Sequence, residues 1–193
     1  MNLMKYWLMK SEPDCFSIDT LKKEKVTIWD GVRNYQARNI MRDDMKYGDQ
    51  VIFYHSNAKP PHIAGFAEID SKEPVADPTQ FDPKSEYYDP KSSPEEPRWM
   101  TVKVKFKSKL KEPISLEQVK SNPKLKEMML VQRGSRLSVQ PVTKKEWDEI
   151  NRYLAKQSFA VDVAQKKVAT TPLGGSCVND NSDFRKKSNK MIA

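Results

Sequence analysis

The sequence predicts an α+β domain in which about six short strands curl into a small barrel flanked by three or four helices. Three observations lead there. Short β-type runs bounded by Gly, Pro, Asn and Asp recur along the chain, amphipathic segments are interspersed irregularly among them, and the sustained strand–helix alternation of a parallel βαβ sheet is missing. A chain of 193 residues fits one such domain, or one domain with an appendage, and is long enough to bury a real core.

The elements follow in order. The apolar N-terminal stretch MNLMKYWLMK is short, carries Lys5 and Lys10 and lacks a small-residue cleavage site, so YWLMK reads as a first strand, not a signal peptide. Ser17 is a cap for the helical segment IDTLKK, VTIW is a second strand, and Asn34 caps YQARNIMRDDM, where Ala37, Ile40, Met41 and Met45 recur at helical spacing. DQVIFYH and IAGFAEID are two strands joined through SNAKPPH. Pro74, Pro78, Pro83, Pro90, Pro94 and Pro97 make residues 74–98 a long crossing loop. Val102, Val104 and Phe106 then alternate with Lys103, Lys105 and Lys107, a strand with one buried and one wet face; the lysines read as a solvated face before they read as a phosphate stripe. Ser115 opens a short helix, Pro123 opens another through KLKEMML, and RLSVQPV is a late strand. Thr143 with Glu146 forms a capping box for KKEWDEINRYLAK, whose Trp147, Ile150 and Leu154 share a face. Residues 1–156 are therefore expected as the domain, and the polar segment 157–193 as a loosely ordered tail.

Charge favours a polyanionic partner without naming one: 34 Lys and Arg against 26 Asp and Glu give +8 and a pI near 9.3. Six Lys/Arg against three Asp in residues 157–193 put about +3 in the tail, leaving the body only mildly basic. Cys15 and Cys177 show no CxxC or His-x-x-x-His context, so two free thiols in a reducing compartment are expected. No window approaches the roughly 18 apolar residues of a membrane span. A soluble intracellular protein is expected, cytoplasmic if bacterial and nuclear if eukaryotic, with no membrane partner; nothing fixes the oligomeric state, and a monomer is the default.

Catalytic chemistry finds little purchase. Only His55 and His62 are available as imidazole bases, and His55 beside Ser56 on a strand points to the opposite face from it, which is poor geometry for a dyad. P-loop, GxSxG and GxGxxG patterns are missing from the sequence, so neither a catalytic metal nor a cofactor is expected. Binding fits better. In WDGVRN, Trp29 ends a strand, Gly31 lets backbone approach a ligand closely, and Arg33 and Asn34 supply planar donor and acceptor arrays at a helix start. Such a set suits a flat heterocycle, stacked on the indole and hydrogen-bonded in plane. The competing reading makes Trp29 a core ring and Asn34 simply a cap. Lys10 and Ser11, the HSN at 55–57, YYDP at 87–90, and Arg136, Ser138 and Gln140 leave other strands and would build a cup if those ends converge.

YWLMKSEP, WDGVRNYQARN, FYHSN, IAGFAEI, YDP, a Trp followed by VKVKF, and RLSVQPV occur in the order and spacing of the EVE domain, which the chain resembles over about residues 4–155. The EVE domain belongs to the PUA-like superfamily and is similar to the YTH readers of methylated adenine. That resemblance implies a PUA-like pseudobarrel of about six strands with flanking helices, a pocket for a modified nucleobase such as a modified cytosine in DNA or RNA, and no catalysis. Carried over by motif, Trp29 would be an aromatic wall. Lys10, Ser11, Asp30, Gly31, Val32, Arg33 and Asn34 would line the floor, and Tyr54, His55, Ser56 and Asn57 the opposite wall. Tyr88 and Asp89 would close the loop side, with Arg136 and Ser138 contacting phosphate or base. The alternative is a nucleic-acid hydrolase or base-modifying enzyme using His55.

Overall fold

The computed structural model describes residues 4–169. At its centre is a six-stranded mixed sheet made of β1 (Tyr6–Ser11), β2 (Val26–Ile28), β3 (Gln50–His55), β4 (His62–Ile69), β7 (Lys103–Ser115) and β8 (Val139–Val142). Their order is β2-β7-β4-β3-β1-β8, and the sheet curls into a half-barrel, the α+β architecture expected. β1 and β3 run parallel; every other neighbouring pair is antiparallel. A two-residue ladder, β5 (Val75–Ala76) against β6 (Met100–Thr101), ties the ends of the proline-rich segment together.

Helices α1 (Ile18–Glu24), α2 (Tyr35–Asn39), α3 (Leu116–Ser121) and α4 (Lys144–Ala169) start where capping chemistry dictates. The Ser17 and Asn34 side chains accept the N–H groups of Thr20 and Ala37, Ser115 and Gln118 form a reciprocal box, and so do Thr143 and Glu146. On one face of the sheet, Trp7, Met9, Val51, Phe53 and Val104 pack with Ile18, Leu21, Trp29, Ala37 and Met41 into the main core. On the other, Leu8, Ile52 and Ile150 are buried, and the Trp147 ring lies 4.9 Å from Tyr6 and 5.1 Å from Phe66. Gly65 is required in β4 because a Cβ there would sit 2.4 Å from the Ser108 carbonyl oxygen across the ladder.

Four elements differ from the sequence reading. The helix after Asn34 widens after one turn into a π-helical segment, Ile40–Asp44, closed by Met45 N–H donating to the Ile40 carbonyl at 3.1 Å, which turns both Met41 and Met45 inward. Pro123 opens only a 3-10 turn, Pro123–Leu125, followed by another at Met129–Val131. Leu125, Met128 and Leu130 are all buried, a spacing that turns of i→i+3 bonds satisfy and one α-helical face does not. The late strand begins at Val139, so residues 136–138 are loop. Finally, α4 runs on past Lys156, where the sequence reading starts a loosely ordered tail, to Ala169; QSFAVDVAQKKVA contains no Gly or Pro to stop it. The compact unit itself ends at Tyr153. Cys177 and the RKK at 185–187 lie outside the described residues.

Candidate functional site

A cleft of about 900 Å³ opens where β1 and β2 end. Its apolar lining comes from Phe16, Ile28, Trp29, Val32 and Tyr87, and its polar lining from Lys10, Ser11, Asp30, Asn34 and Ser138. Trp29 is only 7% exposed. Its N–H donates to the Val102 carbonyl at 2.9 Å, its carbonyl accepts the Thr101 hydroxyl, and its ring meets Phe53 and Phe16 edge to face at 5.5 and 6.4 Å. The indole is thus a core ring and a wall of the cleft at once, not an open plate.

Gly31 follows with φ +74, the left-handed region that glycine enters without cost. Its N–H donates to Asp77 Oδ2 at 3.0 Å, and a Cβ at Gly31 would stand 3.0 Å from the Tyr87 ring, so the bend and the aromatic side wall fit together directly.

Arg33 does something the sequence did not suggest. Nη1 donates to Asp77 Oδ2 at 2.7 Å and to the Val32 carbonyl at 3.1 Å, Nη2 to Thr79 Oγ1 at 2.8 Å and to the Tyr87 carbonyl, and Nε to that same carbonyl at 2.8 Å. All five donors of the guanidinium are consumed by the protein, leaving none to read a base edge. Arg33 is a brace holding the proline-rich loop, and with it Tyr87, against the WDGVRN bend. Asp77, 1% exposed and itself the cap of the 3-10 turn Pro78–Phe81, is the functional residue that sequence reasoning missed. A carboxylate just before Pro78 carried no local signal of a partner 44 residues earlier.

The remaining floor residues behave as anchors with free faces. Ser11 Oγ donates to the Phe16 carbonyl at 2.7 Å, and Lys10 Nζ to the Ser135 carbonyl at 2.9 Å while its backbone N–H holds the Ser138 carbonyl at 2.8 Å. Burial lowers the Lys10 pKa below the usual lysine range. Asp30 is pushed the other way, upward, first by burial of its carboxyl and then by the Asp77 charge. Asn34 is spent at Oδ1 as the helix cap, 3.0 Å from the Ala37 nitrogen.

The structure does not bring Tyr54, His55, Ser56 or Asn57 to the cleft. Tyr54 is buried with its phenol pushed up to about 12 by desolvation, because it alternates with Phe53, whose ring holds the cleft-side core. His55 Nε2 accepts the Ile18 N–H at 3.1 Å at the start of α1, and burial, then the neighbouring His62, lowers its pKa. Ser56 ties to the Ser11 carbonyl, and Asn57 to Glu12 at 3.3 Å. The loop wall is Tyr87, not Tyr88; Asp89 instead accepts Trp99 Nε1–H at 2.8 Å, and its pKa is held down by the Lys91 N–H and by that indole. Arg136 is exposed on the loop before β8 and does not line the cleft, whereas Ser138 does.

The charge of the cleft is informative. Glu12, Glu24, Asp30 and Glu86 face it against Lys10 and an Arg33 already neutralised by Asp77. Such a lining repels phosphate and offers acceptors to N–H donors.

The EVE domain model matches residues 5–153. The chain belongs to the EVE family. Human thymocyte nuclear protein 1 is 45% identical to this EVE protein over 166 residues, which cover 76% of this chain and 72% of the human one. A hypothetical protein from Leishmania major has a similar structure, with a TM-score of 0.76 and 46% identity, covering 81% of this EVE chain and 98% of its own. Human THYN1 protein, solved in complex with 5-methylcytosine containing DNA, superposes with a TM-score of 0.71 at 43% identity over 78% of this chain and 97% of that one. No helix among the described residues is long and apolar enough to cross a membrane.

Proposed function

We propose that this EVE domain is a non-catalytic reader that takes one modified nucleobase, a modified cytosine or a close analogue, out of DNA or RNA into the cleft beside Trp29. The observation that carries the reading is the pairing of two aromatic walls, Trp29 and Tyr87, with a carboxylate-rich rim that excludes phosphate and accepts N–H donors. The DNA complex of a relative 43% identical supports a nucleic-acid partner. In this reading Lys10, Ser11, Asp30, the backbone around Gly31 and Val32, and Ser138, all of which line the cleft, read the base edge, and a methyl group seated among Phe16, Ile28 and Val32 is worth about 1–3 kcal/mol of discrimination. Extrusion from a duplex costs a few kcal/mol, so unpaired or weakly stacked bases are preferred.

The enzyme reading centred on His55 has no geometric support: its Nε2 is already an acceptor for the Ile18 N–H, and it lies outside the cleft lining. Titration of matched oligonucleotides carrying cytosine, 5-methylcytosine or 5-hydroxymethylcytosine tests the reader, which predicts unequal affinities. Equal affinity for all three would reject it.

A further inference from the structure

Beside the cleft lies a second surface of different chemistry. Tyr35, the first residue of α2 and the neighbour of cleft-lining Asn34, stacks on Trp99 with centroids 4.8 Å apart and planes 22° apart. Although that contact covers part of it, Tyr35 remains 51% exposed, a large aromatic surface that folding leaves in water. Two arginines frame the ring. Arg98 Nη2 donates to the Tyr35 hydroxyl at 2.9 Å, and the Arg38 guanidinium carbon lies 4.8 Å from the Tyr35 centroid.

The two arginines are not equivalent. Arg98 has a carboxylate, Asp89, at 3.5 Å. Arg38 spends three of its N–H groups on neutral oxygens, Asn39 Oδ1 and the Arg98 carbonyl, and has no carboxylate within ion-pair distance among the described residues. A guanidinium fixed in place by neutral acceptors, with two N–H groups to spare, is a pre-set contact for one phosphate. The link to the cleft is physical: the Arg33 guanidinium lies 5.4 Å from the Tyr87 centroid and 5.2 Å from that of Trp99, so one brace supports both aromatic surfaces.

Resting on the reading of the cleft as a base pocket, we infer that Tyr35 and Arg38 form a strand-holding platform: the Tyr35 ring stacks a nucleobase flanking the one in the cleft, and Arg38 binds the phosphate between them. The division of labour is then spatial. The carboxylate-rimmed cleft selects the base, and the adjoining aromatic–cationic surface supplies sequence-independent affinity.

The test uses the full chain and two single-stranded oligonucleotides, identical except for one central cytosine or 5-methylcytosine, titrated over a range of salt. Tyr35→Ala should weaken binding to both by a similar factor, about 5- to 150-fold, leaving the ratio between them unchanged. Arg38→Gln should reduce the slope of log affinity against log salt by about 1. Tyr35→Phe, which keeps the ring and drops the hydroxyl, should bind nearly as wild type; a loss as large as that of the alanine variant would mean that stacking is not the cause. Wild-type affinity and salt slope in both Tyr35→Ala and Arg38→Gln would overturn the proposal, as would a change confined to the ratio. A wild-type protein that binds both oligonucleotides equally would instead reject the cleft reading, with the platform still judged by its own two readouts. Thermal unfolding of each variant shows whether a loss is of contact or of fold.

Discussion

Asp77 Oδ2 holds Arg33 Nη1 at 2.7 Å and, through the same oxygen, the N–H of Gly31 at 3.0 Å. One buried carboxylate therefore fixes both the bend beside Trp29 and the brace for Tyr87. Replacing it strands a partly buried guanidinium and a backbone donor together. Asp77→Ala should lower stability by about 3–5 kcal/mol, read from urea unfolding, and should weaken oligonucleotide binding although Asp77 is not in the cleft lining. An unchanged denaturation midpoint would show that the pair is idle.

Trp29 packs edge to face on Phe53 at 5.5 Å and belongs to the main core, so truncating it cannot be a clean binding mutation. Trp29→Ala should cost about 3–5 kcal/mol. Trp29→Phe keeps much of the packing and should fold; its loss of discrimination between cytosine and 5-methylcytosine in titrations would isolate the wall function from the core function.

Gly31→Ala meets two penalties. A left-handed φ of +74 costs a residue with a Cβ about 1–2 kcal/mol, and the new methyl presses on the Tyr87 ring at 3.0 Å. Adding Tyr87→Ala should relieve only the second. A double-mutant cycle on melting temperatures should accordingly return a coupling between the two positions, and strict additivity would show that the ring moves aside freely.

His55 supplies a pH dependence with a fixed sign. Its folded pKa is lowered, chiefly by burial and then by His62, and the neutral ring accepts the Ile18 N–H at Nε2. The unfolded chain thus takes up the proton first as pH falls below the ordinary value of about 6.5. Stability from this contact is complete above that pH and is lost as pH drops toward the folded pKa. Urea midpoints should fall between pH 7 and 5 in wild type, and by less in His55→Gln.

What was legible in the sequence is what local chemistry decides. Ser17, Asn34, Ser115 and Thr143 announce helix starts because each bonds a backbone N–H within three residues of itself. Val102 and Val104 against Lys103 and Lys105 announce a strand with one face in water, since the period is set by the pleat. Lys10, Ser11 and Trp29–Asn34, singled out from the sequence as polar and aromatic strand ends, line one cleft. Illegible were the choices made by packing: that Tyr54 turns to the far side of the sheet, that Tyr87 and not Tyr88 reaches Gly31, and that Arg33 is exhausted on Asp77, Thr79 and Tyr87. Each depends on where the proline-rich loop settles, 44 residues and more along the chain from Arg33. No periodicity encodes that.

The cleft is therefore assembled from two materials. Ser11 ends a strand of the sheet and Trp29 is packed into its core, whereas Tyr87 is carried by a loop held through polar contacts to Arg33 and, by way of Asp89, to Trp99. Changes along 82–96 can reshape one half of the cavity while the other half stays put. Substitutions confined to that surface loop therefore offer a route to changing the shape of the cleft that leaves the sheet untouched.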